Sequence, residues 1–266
     1  MLSNKFRKMI RKDTVDKLSY KIYENRSLMG IGAAKAAAER IKQSLKEKET
    51  INIIFAAAPS QNEFLQNLTI EKEIDWIRIR AFHMDEYVDL DKDAPQKFGN
   101  FLKERIFGKL PFKSVFYLDG NTSDLNSECL RYSELLKKYP VDIVCMGIGE
   151  NAHIAFNDPH VADFNDPNLV KVVDLDSECR NQQVNDGCFK RFEEVPFKAL
   201  TLTIPALMNA QFAFCMVPGK TKAKAVANTL KGEICETYPS TILRKHSNAI
   251  MFLDNESASL VEIKKN

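Results

Sequence analysis

No stretch of the sequence is long and uncharged enough to cross a bilayer as a helix. Its most continuous apolar runs, such as INIIFAAA at 51–58 and FAFCMV at 212–217, stop well short of the ~18 residues required. The N-terminus, MLSNKFRKMIRKD, has neither the apolar centre nor the small-residue cleavage site of a secretory signal. A cytoplasmic location with no membrane partner is the resulting expectation. The six cysteines (Cys129, Cys145, Cys179, Cys188, Cys215, Cys235) form no Cys-x-x-Cys pair and have no histidines at zinc-binding spacing, so they read as reduced thiols and no metal site is expected. An excess of one charge is also lacking: 38 Lys and Arg stand against 36 Asp and Glu, which gives no basic surface for nucleic acid. Internal repeats, low-complexity tracts and flexible linkers are missing too, so residues 1–266 read as a single domain.

What is present is an alternation of strand and helix signals. Residues 29–46 carry Ala33, Ala34, Ala36, Ala37, Ile41 and Leu45 among Lys, Arg and Glu, the spacing of an amphipathic helix, and the first 46 residues are expected to form a helical N-terminal segment. The short runs at 51–58, 141–146, 212–217 and 249–253 suit strands covered on both faces. Between them, 60–68 opening with Ser60, 123–138 opening with Ser123, and 220–230 after Gly219 read as helices, while 157–168 (NDPHVADFNDPN) reads as a loop. This order predicts an α/β fold with a mainly parallel sheet and helices on both faces, whose ligands sit beyond the carboxyl ends of the strands.

Four segments place polar residues at those ends. In IRIRAFHMDEYVDL (77–90), a strand runs into His83, Asp85, Glu86 and Tyr87, and period two puts His83 and Asp85 on one face. A partly desolvated carboxylate there has a raised proton affinity suited to acid–base work, although most Asp-Glu pairs at strand ends are solvated turns or helix caps. In VDIVCMGIGENAHIAFNDP (141–159), Gly147 and Gly149 let backbone approach a ligand, and His153 can exchange protons with a sugar oxygen while Asn151 or Asp158 fixes its tautomer. Gly-x-Gly-x-x-Ala also occurs in this stretch. The chain then reaches Asn157, Asp158 and Pro159 within about two turns, too soon for the long helix of a dinucleotide fingerprint. In VPGKTKAKAV (217–226), Gly219 leads into Lys220 and Lys222 at a helix start where anions bind, but Phe214 occupies the first glycine position of a nucleoside-triphosphate loop. In APSQNE (58–63), Ser60 can cap the following helix, a geometry that also invites phosphate.

FHMDEYV at 82–88 and GIGENAHIAFNDP at 147–159 together resemble the glucosamine-6-phosphate deaminase (isomerase) family, and the likeness runs in the family's order from the strand at 51 through PGKTK to YPSTILRKH at 238–246. The resemblance implies a three-layer Rossmann-like sandwich and a cofactor-free conversion of a hexosamine 6-phosphate to ketose 6-phosphate and ammonia. It makes Asp85, with Glu86 beside it, the proton-transfer carboxylate and His153 the ring-opening residue, assisted by Asn151 and Asp158. It makes Lys222 a phosphate contact and puts Ser60, followed by Gln61, in the phosphate loop. The chemistry is consistent with these roles, because an aldose-to-ketose shift needs one base reaching two adjacent carbons, and a distant phosphate holds those carbons in register.

The chain also departs from the family pattern. Asn151 stands where the family usually has Asp, and Asp158 where it commonly has Glu. Ala58-Pro59-Ser60-Gln61-Asn62 replaces a glycine-rich loop. The position of the family's phosphate-binding arginine falls near Asn185, leaving Arg180 or the lysines to take that role. Two rival functions share these features: a 6-phosphogluconolactonase-like hydrolase, against which Met84-Asp85-Glu86-Tyr87-Val88 argues, and a sugar-phosphate sensor without turnover. The epimer of the amino sugar and any homo-oligomer are left open by the sequence.

Overall fold

The apolar runs expected to be covered on both faces form the middle of an eight-stranded sheet. The computed structural model describes residues 9–261. In chain order the elements are β1 (Met9–Val15), β2 (Leu18–Tyr23), α1 (Arg26–Glu47), β3 (Ile51–Phe55), α2 (Asn62–Thr69), β4 (Ile79–His83), β5 (Asp85–Tyr87), α3 (Phe98–Leu102), β6 (Ser114–Phe116) and α4 (Leu125–Lys138). They continue with β7 (Ile143–Met146), β8 (Val170–Asp174), α5 (Ser177–Asn185), β9 (Lys198–Leu202), α6 (Ile204–Met208), β10 (Phe212–Val217), α7 (Ala223–Lys231) and β11 (Ala249–Asp254).

The large sheet has the order β1-β2-β11-β10-β7-β3-β4-β6, and every neighbouring pair is parallel except β1 with β2. Alternate residues of each central strand feed two cores. Ile53, Phe55, Cys145 and Met216 pack with Met29, Ala33, Ala37 and Ile41 of α1 and with Phe64 and Leu68 of α2. Ile54, Val144 and Cys215 pack on the opposite face with Tyr132 and Leu136 of α4 and Val226 and Leu230 of α7. The result is the expected three-layer α/β sandwich, in which strands buried on both sides read as unbroken apolar sequence.

Local chemistry sets the helix boundaries. The Asn25 side chain accepts from the Leu28 amide at 2.9 Å and starts α1, while Asp124, rather than Ser123, caps α4 by accepting from the Asn126 and Ser127 amides. Ser60 makes no cap hydrogen bond either. It sits in a single 3₁₀ turn, Pro59–Gln61, that precedes α2, so its hydroxyl is not used by the helix.

Two features of the fold were not foreseen. The segment expected to be helical as far as residue 46 is helical only from Arg26; Met9–Val15 and Leu18–Tyr23 form an antiparallel hairpin, β1 and β2, in which the period-two alternation of Leu18, Tyr20 and Ile22 with Ser19 and Lys21 puts the apolar residues on the buried side. A second, antiparallel sheet of order β5-β9-β8 lies apart from the main one. The chain leaves β4 at His83 and enters this sheet at Asp85, so the period of two expected to hold His83 and Asp85 on one face is broken at Met84. Among the described residues no helix is long and apolar enough to cross a membrane.

Candidate active site

β7 lies between β3 and β10, where the crossovers run off in opposite directions, and a cavity of about 260 Å³ opens beyond the carboxyl ends of these strands and of β4. The loop after β3 contributes Ala56–Ser60, the crossing from β4 to β5 contributes Met84 and Asp85, the loop after β7 contributes Gly147–Gly149 and His153, and the loop after β10 contributes Pro218–Lys222.

Asp85 is 7% exposed and faces this cavity with Oδ1 unpartnered. Burial, reinforced by the charge of Glu86, pushes its carboxyl well above the usual carboxylate range. Glu86 points the other way. Its Oε1 accepts from the Tyr87 and Phe98 amides at 2.9 and 3.0 Å and its Oε2 from the Gly99 amide at 2.9 Å, pinning the start of α3. It does not line the cavity, so the expected catalytic Glu86 is a structural anchor. His83 is likewise fully buried, with Nε2 accepting from the Leu118 amide at 2.8 Å.

His153 stands in a tight loop. Ala152 and Ala155 adopt φ of +70° and +51°, a strained choice for alanine that turns the chain sharply on either side of the imidazole. Gly149 is required there because a Cβ would lie 2.2–2.5 Å from three imidazole atoms of His153. The ring's Nδ1 lies 2.8 Å from both the Asn151 amide oxygen and Asp158 Oδ1, and Asn151 Nδ2 donates to the same Asp158 oxygen at 2.9 Å. With two acceptors on Nδ1, the hydrogen belongs there and Nε2 is the basic nitrogen on the cavity side. Asp158 is almost wholly buried, which alone would raise its pKa. The charge and hydrogen bond of His153, with Asn151 and the Cys179 thiol, outweigh burial and pull it down to about 2. Asp158 therefore supplies the charge that Asn151 lacks.

Of the expected phosphate contacts, Ser60 and Lys222 line the cavity. Lys222 is 6% exposed, and burial lowers its pKa against the opposing pull of Asp186 and Glu150. Gly219, at φ +95°, makes the turn that brings Lys222 inward, with its amide donating to Asp254. Gln61 lies one layer behind, donating to Ser60 Oγ at 3.0 Å. Arg180 is not brought to the site. Its guanidinium donates to the Val195 and Phe192 carbonyls and is flanked by the rings of Phe192 and Phe197, each 4.0 Å away, so every use of its charge is structural.

The structure adds wall residues that the sequence reading passed over. Arg26, in the first turn of α1, lines the cavity while donating to Glu63 at 2.7 Å; its place immediately after the cap Asn25 was the available signal. Gln182 and Gln183 enter from α5, held by the Glu150 amide (2.8 Å) and the Tyr87 hydroxyl (2.7 Å), with Asp186 and Cys188 following. No cue in the sequence singles them out. Among the described residues no group of three His, Cys, Asp or Glu is placed to hold a metal ion.

The model of the family described as glucosamine-6-phosphate isomerases/6-phosphogluconolactonase matches residues 24–252. The chain belongs to this family. Relatives in it include glucosamine-6-phosphate deaminases from Streptococcus sanguinis, 32% identical over 233 residues (87% of this chain, 96% of the relative), and Bacillus cereus, 35% identical over 227 residues (85% and 84%). A solved monomeric glucosamine-6-phosphate deaminase superposes with a TM-score of 0.81 at 30% identity, covering 91% of this chain and 99% of its own. A 6-phosphogluconolactonase from Thermotoga maritima, at 22% identity and a TM-score of 0.72, covers 90% and 100% and shares the fold.

Proposed function

We propose that the protein is a glucosamine-6-phosphate deaminase-type enzyme, converting a hexosamine 6-phosphate and water to ketose 6-phosphate and ammonia. The observation that carries this reading is the buried Asp85 carboxylate, unpartnered at Oδ1, in the same cavity as His153 and Lys222. A deaminase needs a base that accepts a proton from C2 and returns it to C1, and burial that raises the proton affinity of the Asp85 carboxyl fits it to hold that proton between the two steps.

In the proposed sequence, His153 Nε2 removes the proton of the anomeric hydroxyl and returns one to the ring oxygen as the C1–O5 bond breaks. Asp158 holds the transient imidazolium. Asp85 then takes the C2 proton while the carbonyl oxygen at C1 takes a proton from the substrate ammonium, giving an enolamine; Asp85 returns its proton to C1 as the nitrogen lone pair closes on C2, which leaves an iminium there. Water adds to that carbon and the nitrogen departs as ammonia. Lys222 and Ser60 hold the phosphate, whose binding energy keeps C1 and C2 against the carboxylate. Sugar phosphates are ionic and do not cross bilayers unaided, so the proposed compartment is the cytoplasm.

The test is ammonia release by the purified protein from glucosamine 6-phosphate and galactosamine 6-phosphate. Release from at least one is expected. No ammonia from either would refute the proposal, and rapid hydrolysis of 6-phosphogluconolactone in its place would assign the lactonase activity instead.

A further inference from the structure

The loop after β3 is poor in the backbone donors that usually hold a phosphate. Pro59 has no amide hydrogen, and the Gln61 amide is used on the Ala58 carbonyl at 2.9 Å. Beyond its remaining amides the loop offers the Ser60 hydroxyl, whose value depends on where its single hydrogen points.

Gln61 determines that direction. Its side chain is 1% exposed, and its Nε2 lies 3.0 Å from Ser60 Oγ and 3.3 Å from the Met146 carbonyl oxygen, while Oε1 is buried without a partner. A carbonyl oxygen can only accept, so the nitrogen end of the amide must face Met146, and the same nitrogen then faces Ser60. With a donor already aimed at Oγ, the hydroxyl must spend its own hydrogen elsewhere, and the cavity is the side on which Ser60 is open. The opposite wall is cut back to fit, since a Cβ on Gly147 would come within 3.1 Å of Gln61 Nε2 and 3.2 Å of Ser60 Oγ. The reverse orientation of the amide would give Oε1 a donor but would leave Ser60 donating to Gln61 and not to a ligand. Thus the unpartnered oxygen accompanies the orientation that frees the hydroxyl.

We infer that Gln61 is a positioning residue that polarises Ser60 as a hydrogen-bond donor to a phosphoryl oxygen, a side-chain substitute for missing backbone amides. The inference rests on the proposed reading of this pocket as a sugar-phosphate site. It does not require that ammonia be the product.

Gln61→Met keeps the side-chain volume and removes both the donor and the orphan oxygen, so the fold should be retained, as checked by circular dichroism. KM for the hexosamine 6-phosphate should rise about tenfold with kcat within about twofold, and the constant for inorganic phosphate, as inhibitor or by calorimetric titration, should weaken by a similar factor. In a Ser60→Ala background, Gln61→Met should add nothing, because the group it orients is gone. An unchanged phosphate constant, a penalty that persists in the Ser60→Ala background, or a fall in kcat at constant KM would each overturn the inference. If the wild type binds phosphate but releases no ammonia, the deaminase reading fails while the phosphate titrations still decide the role of Gln61. If the wild type binds no phosphate at all, both fail.

Discussion

His153 Nδ1 lies 2.8 Å from Asp158 Oδ1, the chain having folded back within five residues to bring a carboxylate against the imidazole. The pair is buried, and Asn151 bridges it by donating to the carboxylate and accepting at the ring. Charge therefore reaches His153 from a residue five positions downstream, although the nearer Asn151 is neutral.

Replacing that charge should have two readable effects. Asp158→Asn should lower kcat for ammonia release by about tenfold or more while KM changes little, because the imidazolium formed during ring opening loses its counter-charge. Stability should change as well. A carboxyl held at about 2 in the fold, against about 3.9 when unfolded, contributes about 2–3 kcal/mol above about pH 5 and loses it as pH falls through about 2. Denaturant titrations of wild type between pH 2 and 5 should show this decline, and Asp158→Asn should flatten it.

Asp85 has the opposite sign. Its folded pKa is raised, so the native state binds more protons than the unfolded chain above the ordinary carboxylate range, and the contribution of this group to stability falls as pH increases. Asp85→Asn should therefore abolish ammonia release, leave substrate bound with similar affinity, and raise the unfolding midpoint at pH 8 relative to wild type. Retained turnover would remove Asp85 from the proton-transfer role.

Lys222→Met should raise KM by about tenfold to a hundredfold with a smaller change in kcat, the size expected for losing a charged hydrogen bond to phosphate. The substitution also removes the cation that offsets the charges of Asp186 and Glu150, so the same variant should bind inorganic phosphate more weakly than either Asp186→Asn or wild type. Equal phosphate affinity in Lys222→Met and wild type would place the anion elsewhere.

Glu86→Gln and Arg180→Met should separate stability from chemistry. Three backbone amides lose a charged acceptor in the first, and two carbonyls lose a buried donor in the second, so each should cost about 2–3 kcal/mol in denaturant unfolding. KM of the folded Arg180→Met protein should stay within about twofold of wild type. A large rise would show that the guanidinium reaches substrate after all.

The central strands were legible because burial on both faces writes itself as continuous apolar sequence, as in Ile51–Phe55 and Phe212–Val217. Asp85, His153 and Lys222 were legible because each follows such a strand, at the edge where a parallel sheet gathers its ligands. Glu86 was misjudged for a physical reason: adjacent strand residues point to opposite sides, and its amide partners at Phe98 and Gly99 are remote in sequence. Arg180 misled because it stands near the position of the family's phosphate-binding arginine at Asn185, and a cation free to meet a ligand and one stacked on Phe192 and Phe197 look alike until the rings are placed. Gln182 and Gln183 carry no local mark, since only the docking of α5 on Tyr87 and Glu150 turns them inward.

The four cavity loops follow strands that end at Phe55, His83, Met146 and Val217, so no local segment holds even half of the pocket. Its formation waits on long-range parallel pairing, a slow step in folding. A ligand in the pocket consequently has affinity only for the completed sheet and should stabilise all its central strands together. Amide exchange in β3, β7 and β10 should slow in concert when a hexosamine 6-phosphate is added, even at backbone positions far from the sugar.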